Sequence, residues 1–210
     1  MRSLIFLAAL LAPGCSHPAT PVDVTTGNEF QSVWDYNKAY KFDPGDQTAK
    51  GTVNVTVAGD KFAVAEGNKR WIFDGVTLYS FEKDPNNPYP LVAAMHKEQP
   101  KPEILKNYQF WRVHPQVFPK GESGGLKRYS LKMPWPSGGD VFYEYFVDQD
   151  HVQRTDLTRV EHTQPDDDAE TLFSYRCTRY ETGAPPDRFQ VPTAQNEVIG
   201  SNPRWLLLGP

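Results

Sequence analysis

The chain has two cysteines in 210 residues, Cys15 and Cys177, so it can form at most one bridge, and a disulfide-rich scaffold is excluded. No apolar stretch approaches the roughly 20 residues that a membrane-spanning helix takes. The net charge of -4 is mild, and Lys and Arg are scattered, so the clustered basic footprint of a nucleic-acid binder is missing. There is no HExxH, no GxSxG, no Walker-type loop and no His/Cys pair at zinc spacing. The five histidines (His17, His96, His114, His151, His162) stand apart. A catalytic residue, a metal and a cofactor are therefore not expected, and the chain reads as a non-enzyme. Methionine is scarce, but 12 Phe, 10 Tyr and 5 Trp suit pleated sheets better than helices. The length fits one ordinary domain with a real core.

Two acidic groupings have plain readings. Asp166-Asp167-Asp168 is a solvated turn unless an oxygen cage frames it. Asp140, Glu144 and Asp148 recur at even spacing, which on a strand marks an exposed polar face and not a catalytic carboxylate pair.

The N-terminus has the three parts of an export signal: Arg2, an apolar core from Ser3 to Leu11, and a small-residue exit. Leu11-Ala12-Pro13-Gly14-Cys15 resembles the bacterial lipobox, in which the cysteine is acylated and becomes the new first residue. Residues 1–14 are then a signal peptide and Cys15 is the lipid-attachment residue. Residues 15–28, which include the polar, proline-bearing SHPATPVDV, form a flexible tether. Each buried methylene of an acyl chain contributes about 0.8 kcal/mol, so several chains hold a protein firmly on a membrane. The expected location is the cell envelope, facing the periplasm, on the outer membrane. Two other fates remain open: Cys15 is discarded with the leader, or it pairs with Cys177, which otherwise is a lone buried thiol.

Residues 29–192 carry the folded domain and 193–210 a tail ending in the apolar Trp205-Leu206-Leu207-Leu208. Phe30, Val33, Trp34 and Asn37 recur at the spacing of one helical face, which predicts a short amphipathic helix over Glu29–Tyr40. From Lys50 the period becomes two: TVNVTV, KFAVAE, KRWIF and VTLYSFE are separated by Gly59-Asp60, Gly67-Asn68 and Asp74-Gly75. Such dipeptides are strong hairpin signals, so four strands in a meander follow. Tyr89–His96 and Pro102–Lys106 suggest short helices. Strand signals resume at Tyr108–Val113, Lys127–Lys132, Val141–Val147, Val152–Glu161 and Thr171–Tyr180. The fold class is α+β, mainly antiparallel β.

The order of these segments carries a resemblance. Gly51-Thr-Val-Asn-Val, Gly59-Asp60-Lys61-Phe62 and Ile72-Phe73-Asp74-Gly75-Val76-Thr77-Leu78-Tyr79 resemble the opening strands of the periplasmic lipoprotein-carrier (LolA/LolB-like) family. Pro102-Glu103-Ile104-Leu105 resembles that family's mid-chain helix, Phe173-Ser174-Tyr175-Arg176 its closing strand, and Ala184–Pro192 the exit from that strand. The resemblance implies a curved, incomplete (half) β-barrel with short helices plugging its concave side, and a role in holding acyl chains.

On that frame, candidate pocket residues are Val53, Val55, Val57, Phe62, Val64, Trp71, Phe73, Leu78, Phe142 and Tyr145 on the strands. Leu91, Met95, Ile104 and Leu105 are candidates for the plug. The expected function is a membrane-anchored envelope lipoprotein that binds a lipid or acylated ligand, in lipid or lipoprotein transport. The same residues equally describe a filled core, and then the chain is an interaction domain that docks an envelope protein.

Overall fold

A computed structural model describes residues 27–40, 47–84, 86, 91–101, 105–106, 109–134, 140–160 and 170–199. The leader, Cys15, Ile104, the triple aspartate and the apolar tail lie outside the described residues. One twelve-stranded sheet accounts for most of what is described. Its first half is β1 (Glu29–Tyr40), β2 (Gln47–Ala58), β3 (Lys61–Glu66), β4 (Lys69–Phe73), β5 (Leu78–Glu82) and β6 (Leu91–Glu98). The second half is β7 (Phe118–Ser123), β8 (Leu126–Pro134), β9 (Asp140–Asp148), β10 (His151–Val160), β11 (Glu170–Thr182) and β12 (Thr193–Ile199). The spatial order is β12-β6-β5-β4-β3-β2-β1-β11-β10-β9-β8-β7, so two meanders are joined along one seam between β1 and β11. All neighbours are antiparallel except β12, which runs parallel to β6.

The three dipeptide turns sit where the sequence puts them. Gly59 and Gly67 turn at φ +60 and +53, a region that a side chain makes costly. Asp74 closes the third turn by accepting the Val76 and Thr77 N–H groups at 2.9 and 2.8 Å.

The sheet has one continuous buried face. Phe30, Trp34, Val55, Phe62, Trp71, Leu78, Leu131, Tyr143, Leu157 and Tyr175 belong to a single cluster that runs from β5 across the seam to β8. The sheet remains open, with β12 and β7 as edges. Strand β7 is exposed along its whole length and carries Pro119, Lys120 and a register shift between Pro119 and Gly121, features that discourage pairing with another chain.

The α+β class with helices plugging the concave side is overturned. The described elements are strands and one 3-10 turn, Pro186–Phe189, with Leu105 and Lys106 as the other helical residues described. Glu29–Tyr40 is strand β1. Its inward residues alternate as Phe30, Ser32, Trp34, Tyr36 and Lys38, and the buried serine and lysine hide the period of two from a reading based on apolar spacing. Leu91–Glu98 is likewise a strand, held between β5 and β12. The opposite error occurs at Tyr108–Val113. Phe110 and Trp111 lie in a turn, both are 1% exposed, and both enter the same inner cluster, so they do not alternate between faces as strand neighbours do.

Gly51 shows how tightly the central strands are fitted. It faces Tyr36 in the register of β1 and β2, and a Cβ there would lie 2.6 Å from the Tyr36 hydroxyl oxygen and 2.8 Å from its Cζ. The bare backbone lets the tyrosine ring cross β2 and donate its hydroxyl hydrogen to Glu66 on β3. Gly51→Val is expected to lower stability by about 1–3 kcal/mol, an overpacking cost. Urea denaturation measures it, with Tyr36→Ala in the same chain recovering part of the loss. An unchanged midpoint for Gly51→Val alone would remove Tyr36 packing as the reason for the glycine.

Candidate functional site

Ten of the candidate pocket residues come together. Val53, Val55, Val57, Phe62, Val64, Trp71, Phe73, Leu78, Leu105 and Tyr145 are buried in one cluster on the inner face. Phe142 neighbours Val141 and Tyr143, whose side chains enter that cluster, and it is half-buried on the other face. Met95 sits in a small second cluster with Ile72, Phe81 and Val92, and Leu91 is 39% exposed.

The hollow that the inner face encloses is filled by residues that spacing did not single out. Phe110 stacks on Tyr175 with ring centroids 3.9 Å apart and meets Trp34 edge-on at 5.2 Å. Trp111 meets Phe62 at 5.3 Å. The plug is tied down by polar bonds as well: Thr155 Oγ1 donates to the Phe110 carbonyl at 2.7 Å, and Arg112 donates to the Gly59 carbonyl at 2.6 Å. Space on this side persists at the rim of the plug, as a cavity of about 430 Å³ bounded by Asp60, Phe73, Leu105, Arg112 and His114. The one legible signal for the plug was the adjacent aromatic pair in a stretch flanked by prolines at 102 and 115.

Lys38 and His114 are both buried on this side. Lys38 is 3% exposed, with its amine 4.7 Å from the Tyr36 ring centre, and burial lowers its pKa to about 8 although Glu66 pulls the other way. His114 accepts the Gln116 N–H through Nδ1 at 3.1 Å, and burial, with the charge of Lys106, holds its imidazole below the ordinary value.

The opposite face differs between the two halves of the sheet. Across β8–β11 it is laced with ion pairs: Lys132 with Asp140 at 2.6 Å, Arg128 with Glu144 at 2.5 Å, and Arg154 with Asp156, which also accepts the Ser174 hydroxyl. Asp140 and Glu144 are thereby engaged in holding strands together. Cys177, packed beside the inner cluster, donates its thiol hydrogen to the Arg179 carbonyl, and burial pushes the thiol up, away from reactivity.

Across β1–β6 the outer face carries a cleft of about 670 Å³. Its roof is the connection from β11 to β12, which run in the same direction and so need a crossover. This strap, Gly183–Pro192, includes the 3-10 turn. Ile72, Phe81 and Val92 make an apolar floor, against which Val191 packs. Arg70, Lys83, Arg179 and Arg188 stand around it with Glu181 and Asp187. Arg179 donates twice to Glu181, at 2.8 and 2.5 Å, which leaves an excess of positive charge at the other positions. Arg70 is anchored through Nη1, which donates to the Gly67 and Lys69 carbonyls at 2.9 and 2.8 Å. The volume lies in the range of small-molecule sites, and an apolar floor with a cationic rim suits an amphiphile.

Both buried groups have depressed folded-state pKa values, so in each case the unfolded chain binds more protons between the two pKa values and stability rises with pH there. For His114, stability should fall as pH drops below 6.5, measured by urea midpoints from pH 7.5 to 5, with His114→Phe flattening the profile. For Lys38, stability should rise between about 8 and 10.5, and Lys38→Met should stabilise at pH 7 by about 1–3 kcal/mol. A destabilised Lys38→Met would show that the ammonium is a net attraction.

No known family's sequence profile matches the chain, and no curated protein matches it. Among solved structures, the chain is similar to an uncharacterized conserved protein from Thermus thermophilus. The TM-score is 0.50 at 7% identity, over 83% of this chain and 91% of that one. It is more loosely similar to a LolA superfamily protein from Nitrosomonas europaea, with a TM-score of 0.24 at 10% identity, over 80% and 91% of the two chains. The first likeness shows a shared fold and nothing of function. The second is too loose to carry an argument.

Proposed function

We propose that this chain is a non-enzymatic binding module of the cell envelope, attached to a membrane through an acyl group on Cys15, that holds an amphiphilic ligand with an apolar chain. The ligand lies on the outer face of the sheet, beneath the strap, and not inside the curve. One observation carries this reading. The inner hollow, which the resemblance assigned to acyl chains, is occupied by Phe110 and Trp111, whereas the outer cleft of about 670 Å³ is floored by Ile72, Phe81 and Val92. Burying a chain of methylenes there contributes about 0.8 kcal/mol each. The export signal and the lipobox-like Cys15 support an envelope location.

The test uses the full chain expressed with its own leader in a bacterial host. Cys15→Ser should move the protein from the membrane fraction to the soluble periplasmic fraction. Native mass spectrometry of the mildly purified protein should show a copurifying acyl-bearing mass. Val191→Trp, which fills the cleft from the strap, should abolish that mass while leaving the thermal midpoint within a few degrees. An empty wild-type protein, or one whose bound mass survives Val191→Trp, overturns the reading and leaves an interaction domain docking an envelope protein.

A further inference from the structure

The cationic side of the outer cleft is stronger than an amphiphile's chain alone requires. Arg70 comes from β4 on the sheet and Arg188 from the strap, so the two guanidinium groups approach the same space from opposite walls. They are close enough that Arg188 adds to burial in drawing the Arg70 guanidinium below its usual range. Lys83, at the end of β5, lines the same cleft. Among the described residues no carboxylate pairs with Arg70, Arg188 or Lys83; Glu181 is held by Arg179. Arg70 is fixed by its two bonds to backbone carbonyls through Nη1, and its Nε and Nη2 have no described acceptor. A guanidinium anchored on one side with donors free on the other is already oriented for an oxyanion, and it loses little freedom on binding. Two like charges held across a cleft cost stability until an anion sits between them.

We infer that Arg70 and Arg188 form a phosphate subsite at the charged end of the outer cleft, with Lys83 adding long-range attraction. This rests on the reading of that cleft as the ligand site and specifies the ligand's head group: an anionic phosphate, carried by a lipid or free in solution. The strap supplies one of the two guanidinium groups, so phosphate binding joins strap to sheet, and occupancy should raise the thermal midpoint by mass action.

The experiment uses the full chain carrying Cys15→Ser, to keep it off membranes, and three probes: dodecyl phosphate, dodecyl maltoside and inorganic phosphate. Each is titrated by calorimetry, the two detergents below their micelle thresholds, and thermal midpoints are recorded with and without it. The expected result is that dodecyl phosphate binds at least about tenfold more tightly than dodecyl maltoside and weakens with added salt. Arg188→Gln should remove about tenfold or more of that affinity and abolish the midpoint rise. Because Arg188 is exposed and its side chain makes no described hydrogen bond, this variant should fold as the parent does. Arg70→Gln serves as the second variant, read against its own ligand-free midpoint since its backbone bonds are lost as well.

If inorganic phosphate binds as tightly as dodecyl phosphate, and Arg188→Gln removes both, the subsite stands and its source is free phosphate. If dodecyl maltoside binds as tightly as dodecyl phosphate, and Arg188→Gln changes neither, the subsite is overturned while the cleft remains an amphiphile site. If no probe binds, both readings fall.

Discussion

A wide open sheet with one apolar face is stable only if something covers that face, and this constraint governs the rest of the molecule. The cover is made from the connection between β6 and β7, and its two central side chains, Phe110 and Trp111, reach Trp34, Phe62 and Tyr175 on three different strands. Aromatic rings suit the task because each removes a large area from water and packs edge-to-face or stacked with its neighbours. Strands on both sides of the seam thereby meet at the same two residues.

Filling the inside moves the interesting chemistry outside. The second half of the sheet closes its outer face with ion pairs between neighbouring strands, whereas the first half leaves its outer face to a strap that crosses it. The strap exists because β12 joins the sheet parallel to β6 at the far edge, which no tight turn from β11 can achieve. The cleft is thus a product of topology. Its charge is a product of sequence, with Arg70 on a strand and Arg188 on the crossover.

Much of the first meander was legible, because TVNVTV and KFAVAE alternate cleanly and the glycine dipeptides between strands leave little choice of turn. Strand β1 was not, because its inward set includes Ser32 and Lys38. Ser32 is there to accept the Trp34 indole N–H at 2.8 Å, and the Lys38 amine lies over the Tyr36 ring. Apolar spacing does not detect residues buried for such reasons. The plug failed for the converse reason: Tyr108–Val113 looks like a strand because both of its central aromatics are apolar, and only the tertiary fold shows that both point inward. The residues nominated for the inner face came together there with few exceptions, but spacing could not say that other residues would occupy the hollow between them. The outer cleft was invisible, since Arg70 and Arg188 are far apart in sequence and are brought together only by the crossover.

The seam between β1 and β11 pairs Phe30 with Thr182 and Lys38 with Phe173, partners that stand most of the chain apart. Apart from β12, each meander is assembled from neighbours in sequence, but the seam closes a very large loop. Chains dominated by such distant partners search slowly for their native arrangement. Until the seam zips, each meander presents an unpaired backbone row along β1 or β11, and neither meander can fully enclose the aromatic plug. The interval before zipping is therefore when the open rows along β1 and β11 are exposed to pairing with the wrong partner.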